Sequence, residues 1–171
     1  MRRAHLISIS ALLAMSLSAD VLAAPAAPPT RTIKIISSAG ARGLVDGCVA
    51  WAQKNNTTVA MAVLDWGGNL VESHAMEGAA SNAIATALLK AKNALRWRRP
   101  SSETAQIVRA GQNLAPTYIE GDFPQPGAVP IVMDNQVIGS MGVSSGDGEK
   151  CAAAGIEAVF GKTATTKTAA Q

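Results

Sequence analysis

Apolar and polar positions change period several times along this chain, and each change marks an element. From Ser38 to about Asn55, apolar residues fall at Ala41, Leu44, Val45, Cys48, Val49 and Ala52, with Arg42, Asp46, Gln53 and Lys54 opposite. That three-four spacing predicts a helix with one buried face. Gly40, Gly43 and Gly47 weaken it by up to about 1 kcal/mol each, so it depends on packing, and close approach to a sheet or a ligand is the expected reason for them. TVAMAVLDW is apolar on both parities, as in a strand covered on both faces. The turn D-W-G-G-N (Asp65 to Asn69) sends the chain back as NLVESHAM, an antiparallel hairpin.

Ser81 to Trp97 carries the strongest helical signal, with Ile84, Leu88, Ala91 and Leu95 on one face and Lys90 and Lys92 expected in solvent. It ends in R-W-R-R-P, where Pro100 stops it and three arginines suit the negative end of the helix dipole. S-S-E-T opens a short helix over about 102–110, with Ser101, Ser102 or Thr104 as its N-cap. The Gly- and Pro-rich stretch 111–130 is a loop of about 20 residues, long enough to suggest function. A second hairpin follows: Val129–Met133, a turn at Asp134-Asn135-Gln136, then Val137–Val143. Gly139 and Gly142 there leave room for another backbone or a flat ligand. The last helix runs from about Asp147 to Phe160, and residues 161–171 are expected to be a disordered tail. The order is α-β-β-α-α-β-β-α, with room for one more strand in the long loop. Hairpins interrupted by helices indicate an α+β domain with an antiparallel sheet. The first and last helices can then share one face of the sheet.

Residues 1–23 read as an export signal. Arg2, Arg3 and His5 form a basic start, Leu6 to Leu17 is a 12-residue apolar run, and V-L-A (Val21 to Ala23) suits cleavage. The run falls short of the roughly 20 residues that span a bilayer. The expected location is the periplasm or outside the cell, with no membrane attachment after signal removal. Loss of Arg2, Arg3 and Asp20 lowers the formal charge from +3 to +2. No basic stripe interleaved with aromatics remains, so nucleic acid is not an expected partner. Residues 24–32 form a linker and 33–160 the domain, large enough for a real core. In an oxidising compartment Cys48 and Cys151 are either one disulfide or two buried thiols.

Motifs for nucleotide binding, zinc proteolysis and serine hydrolysis are all missing. After signal removal His74 is the only histidine. At period two, Glu72, His74 and Met76 project from one strand face. The carboxylate can orient the imidazole and Met76 can offer a thioether, or the pair is simply solvated. Arg96, Arg98 and Arg99 beside Trp97 form either a carboxylate clamp with a stacking surface or an ordinary basic helix end.

The segments D-W-G-G-N-L-V and M-E-G-A (within Asp65 to Ala79), A-x-x-K-A-x-x-A (Ala87 to Ala94), W-x-x-P-S-S-E (Trp97 to Glu103) and V-P-I-V-x-x-x-x-V-I-G-x-M-G-V-S (Val129 to Ser144) together resemble the GlcG/HbpS family. The resemblance covers nearly all of the mature chain. It implies a profilin-like antiparallel sheet of about five strands flanked by helices, assembled into a homo-oligomer. It also implies haem as cofactor. Position by position, Ser101 becomes a candidate oxygen ligand to haem iron beside His74, the arginines become propionate partners, and Met76 and Trp97 line the pocket. Ala75 stands where the family has arginine, and Ala128 where it has glycine. The resulting expectation is an exported haem-binding carrier or redox/haem sensor. Two alternatives are kept: an enzyme acting on a small organic acid or aromatic compound in the same cleft, with His74 as general acid/base, and a ligand-free oligomeric interaction module.

Overall fold

The computed structural model describes residues 28–144 and 146–167. The expected signal segment 1–23 and the first part of the linker lie outside the described residues. The chain divides into two units, Met1–Arg31 and Thr32–Gln171, and the fold is that of the second.

α1 (Ser38–Lys54) starts at Ser37, whose hydroxyl accepts the N–H of Gly40 at 3.1 Å. Its buried face is Ala41, Leu44, Val45, Cys48 and Ala52, as the spacing predicts. β1 (Ala60–Asp65) and β2 (Leu70–Ala75) form the first hairpin. α2 (Ala83–Trp97) and α3 (Ser101–Arg109) follow, and a short 3-10 turn, Ala115–Thr117, interrupts the long loop. β3 (Ala128–Met133) and β4 (Gln136–Ser144) make the second hairpin. Its two-residue turn has positive φ at both Asp134 and Asn135, the backbone pattern that matches strand twist. α4 (Gly148–Phe160) leads to a 3-10 turn and β5 (Ala164–Thr165).

The sheet order is β2-β1-β4-β3-β5, antiparallel throughout, which makes this an α+β fold with a five-stranded sheet. The fifth strand departs from expectation. It comes from the segment expected to be a frayed tail, pairing Thr165 with Val132 and Ala164 with Met133, and the loop before β3 supplies none. Two residues, Ala164 and Thr165, are too few to carry a periodicity that could announce a strand; they pair with the edge of β3, with Ala164 buried against the core.

α1 and α4 cover one face of the sheet. Leu44, Val45, Cys48, Cys151 and Ile156 meet Met61, Val63, Ile131, Met141 and Val143 in the main apolar core. Close approach of the two helices explains the glycines. A Cβ on Gly155 would lie 2.5 Å from the carbonyl oxygen of Leu44, and one on Gly47 would lie 2.9 Å from the Cβ of Ala158. At that separation Cys48 and Cys151 are joined in a disulfide, their Cα atoms 4.8 Å apart.

α2 covers the other face, rolled from the predicted face. Ala83, Ala87, Ala91 and Ala94 are buried, whereas Ile84 is exposed and Leu88 and Leu95 are half-buried. Alanines let the helix settle onto Gly142, where a Cβ would stand 2.0 Å from the Ala87 carbonyl oxygen. The space at Gly142 is therefore taken by backbone, not by a ligand. Gly139 likewise faces the Leu64 carbonyl of the neighbouring strand.

Candidate functional site

At the Asp65 end of the first hairpin the chain builds an open groove of about 470 Å³, a size common among small-molecule sites. Four segments shape it. Asp65 holds the hairpin turn, its carboxylate accepting the backbone N–H and the side-chain amide of Asn69, each at 2.9 Å. Slight burial pushes the Asp65 carboxyl up, but these bonds and the N–H groups of Gly67 and Gly68 outweigh it and hold the pKa below its ordinary value. The turn thereby presents Trp66, which is 39% exposed, with Gly67 and Gly68 beside it. The last turns of α2 contribute Lys92, Leu95 and Arg96, which share one helix face at three-four spacing. Arg98 follows in the left-handed conformation, φ 52°, which turns the chain out of the helix. Val137 from β4 and Glu120 and Gly121 from the long loop complete the lining.

Three cationic side chains, Lys92, Arg96 and Arg98, and one carboxylate, Glu120, line the groove. The cations offset the negative pole at the end of α2, which alone would repel an anion. An exposed indole, an apolar floor and two or three cations can hold a planar organic anion.

The loop wall is anchored two residues on. Asp122 accepts the indole N–H of Trp97 at 2.6 Å and the side-chain amide of Asn93, which is completely buried. Trp97 thus fastens the loop instead of lining the groove. The side-chain oxygens of Asn93 and Thr104 are buried without a hydrogen-bond partner among the described residues.

A second polar cluster binds α3 to α4. The N-cap position of α3 is Pro100, and neither serine nor Thr104 caps the helix by its side chain, contrary to expectation. Pro100 offers no hydroxyl, and the carboxylate of Glu149 fills the role from α4. It accepts the backbone N–H and hydroxyl of Ser102, both at 2.8 Å, and longer contacts of 3.4 Å from Ser101 Oγ and Gly127 N–H. Lys90, expected in solvent, is half-buried with Nζ 3.4 Å from the Val143 carbonyl. Burial lowers its pKa, and the charge of Glu149 partly restores it.

The seven residues singled out in the sequence are distributed over both faces of the sheet. Arg96 and Arg98 reach the groove. Arg99 is half-buried, its Nε donating to the Trp97 carbonyl at 3.2 Å. Ser101 is fully buried, and its hydroxyl accepts the Ala128 N–H at 2.9 Å, so the oxygen is committed to holding β3 against α3. His74 lies opposite Met61 and Glu72 opposite Val63, both residues of the core under α1 and α4. Arg42 of α1 pairs with Glu72 at 2.9 Å, which confirms the side that Glu72 faces. Met76 packs against that same core. The strand pattern placed Glu72 and His74 correctly on one face. Within one chain, however, the sheet separates His74 and Met76 from Arg96, Trp97 and Ser101, so no single pocket gathers all seven. Trp66 and Lys92 were the residues missed: the first was legible as a turn residue, the second as one of many surface lysines.

Residues 36–159, from the approach to α1 through most of α4, match the protein-family model described as haem degrading protein HbpS-like. The chain belongs to the GlcG/HbpS family. Protein GlcG of Escherichia coli (strain K12) is 34% identical over 119 residues, covering 67% of this chain and 84% of GlcG. A crystal structure of HbpS superposes with a TM-score of 0.71 at 25% identity, covering 81% of this chain and 99% of HbpS. A PduOC–haem complex gives a TM-score of 0.67 at 20% identity, covering 78% of this chain and 99% of that one, a likeness of fold. Ala75 and Ala128, singled out in the sequence, fall at strand ends: Ala75 is exposed at the end of β2, and Ala128 is buried at the start of β3. The neighbouring Gly127 is the position that needs to be glycine, with φ +132° and the Val143 carbonyl 2.5 Å from any added Cβ.

Proposed function

We propose that this is an exported haem-binding protein, a carrier or sensor that works as a homo-oligomer in the periplasm or outside the cell. The observation that carries the proposal is the convergence of Lys92, Arg96 and Arg98 on a groove edged by an exposed tryptophan, in a chain of the HbpS-like family. Haem combines a flat apolar ring with two carboxylates, and this groove offers a partner for each part. A structural neighbour solved as a haem complex supports the reading. The disulfide supports an oxidising compartment, and exposed Leu114, Tyr118 and Phe123 on the loop offer apolar area for a second copy.

The donors of the groove fit the ring and the carboxylates. Arg96 and Lys92, one helical turn apart, would hold one propionate, and Arg98 the other. The rival in which His74 acts as general acid/base beside an arginine clamp requires both in one cleft. The register of β2 places His74 on the α1 side of the sheet, about 13 Å along the strand from the hairpin turn at roughly 3.3 Å per residue. That geometry favours binding over this form of catalysis.

Haemin titration of residues 24–171, followed by visible absorption, tests the proposal. A saturable one-to-one spectral change is expected, with affinity reduced about 10-fold by Arg96→Ala, the loss of one charge-assisted contact. An unsaturable change, identical in the parent and variant proteins, would show only adsorption and sink the reading.

A further inference from the structure

We propose that the outer edge of β2 is a self-pairing surface, matched to the same edge of a second copy of this chain, and that Glu72 holds it shut. Neither half depends on haem binding.

β2 is the last strand on its side of the sheet, and among the described residues no strand pairs with its outer edge. Peptide groups alternate in direction along a strand. Met76 donates its N–H to the carbonyl of Val59, just before β1, so the peptide groups of His74 and Glu72 also point towards β1 and those of Ser73 and Ala75 point outward. The Ser73 N–H is taken by its neighbour: Glu72 Oε1 accepts it at 3.0 Å. Glu72 Oε2 accepts Arg42 of α1 at 2.9 Å, which ties the carboxylate to the helix above. With its side chain only 18% exposed, Glu72 is a fixed group at the edge and not a solvated one.

The opposite edge of the sheet is closed by the fold itself. Along β3 the N–H of Ala128 goes to Ser101 Oγ, Pro130 has no N–H, and Val132 lies opposite Thr165 of β5. β2 has only the one carboxylate and a bulge at Val71, the extra residue left where Val63 faces Glu72 and Leu64 faces Leu70. Charges and bulges are common protections of an exposed edge. The edge also fits a copy of itself. Antiparallel pairing centred on Ser73 sets its peptide group against the partner's Ser73 and places Glu72 opposite the partner's His74, so no like charges meet. To reach that arrangement the Glu72 carboxylate must leave the Ser73 N–H, and its pairing with Arg42 opposes the move.

Sedimentation velocity of residues 24–171 over a range of concentrations, with hydrogen exchange of the β2 amides, tests the proposal. Glu72→Ala should tighten self-association by about 10-fold, since each copy gains an unblocked donor at the centre of the new ladder. The Ser73 and Ala75 amides should then gain protection that rises with protein concentration, beyond that of the parent at the same concentrations. Adding Ser73→Pro removes the donor from an edge position where proline is tolerated, and should return association to the parent's level. Arg42→Ala keeps the carboxylate but frees it from α1, and should shift association the same way by about 3-fold. Association unchanged in a folded Glu72→Ala protein, tightening without concentration-dependent protection of β2, or tightening that survives Ser73→Pro overturns the proposal. If Glu72→Ala does not fold, an unchanged association of Arg42→Ala overturns it instead.

Discussion

The two faces of the sheet are held by different physics. Under α1 and α4 the core is apolar, with the Arg42–Glu72 pair joining α1 to β2, the helices approach through glycines, and a disulfide crosses between them. On the side of α2 and α3 lie the four buried polar side chains among the described residues, Asn93, Ser101, Thr104 and Ser140, the last donating to the Ala91 carbonyl at 2.9 Å. The groove opens on this second side, bounded by a loop that hydrogen bonds hold in place. Apolar packing is non-directional and gives bulk stability. Hydrogen bonds demand particular geometry, and a site that must present cations at defined positions benefits from it. The α1/α4 side therefore supplies stability, and the α2/α3 side supplies position.

If that division is right, removing the disulfide costs stability and spares the groove. Replacing Cys48 and Cys151 together by alanine should lower unfolding stability by up to about 4–5 kcal/mol, the chain-entropy value for a loop of this length, read from urea midpoints. Haemin affinity under native conditions should stay within about 2-fold of the parent. A collapse of affinity in a protein that is still folded would break the comparison.

Glu149 is the sharper test, because it joins the two sides. Glu149→Ala removes the acceptor for the Ser102 N–H and hydroxyl and should cost about 2–3 kcal/mol, as loss of bonds to a charged group does. Hydrogen exchange should rise in the first turn of α3 and remain unchanged in α1. Uniform deprotection of both helices would mean that the two sides are a single cooperative unit.

The smallest effect is at the hairpin turn. The folded pKa of Asp65 is depressed, so its contribution is fully present above the ordinary value of 3.8 and is lost as pH falls through the folded value. Asp65→Asn should flatten the acid limb of the stability curve, with little change at pH 7 beyond a weaker turn. An unchanged acid limb in the variant would remove Asp65 as a support of the groove edge.

Strands and helices were legible because each buries a repeating stripe. The α1 face, both hairpins and the Asp134-Asn135 turn follow from local pattern and from residues suited to positive φ. The α2 face was misread because large apolar residues dominate a periodicity count, whereas close contact with Gly142 selects alanines. The cap of α3 was misread for a related reason. A serine next to a helix start is a local signal, and the carboxylate that replaces it is 47 residues away. Of the site, Arg96 and Arg98 were legible as a basic helix end and Trp66 as a turn residue, but the meeting of Trp66 with Glu120 was not, since neither pattern nor spacing links a hairpin turn to a loop some 50 residues further on.

What the sequence determined by itself was the set of elements, their order, the α+β class and the family, because these depend on interactions within a few residues or on a long series of matched positions. The partners across the fold were decided by tertiary structure alone: Cys48 with Cys151, Glu149 with α3, β5 with β3, and His74 set apart from the arginines. The physical reason is that a side chain's neighbours depend on which face of the sheet it takes and which helix covers that face. That choice is made by the packing of the whole chain.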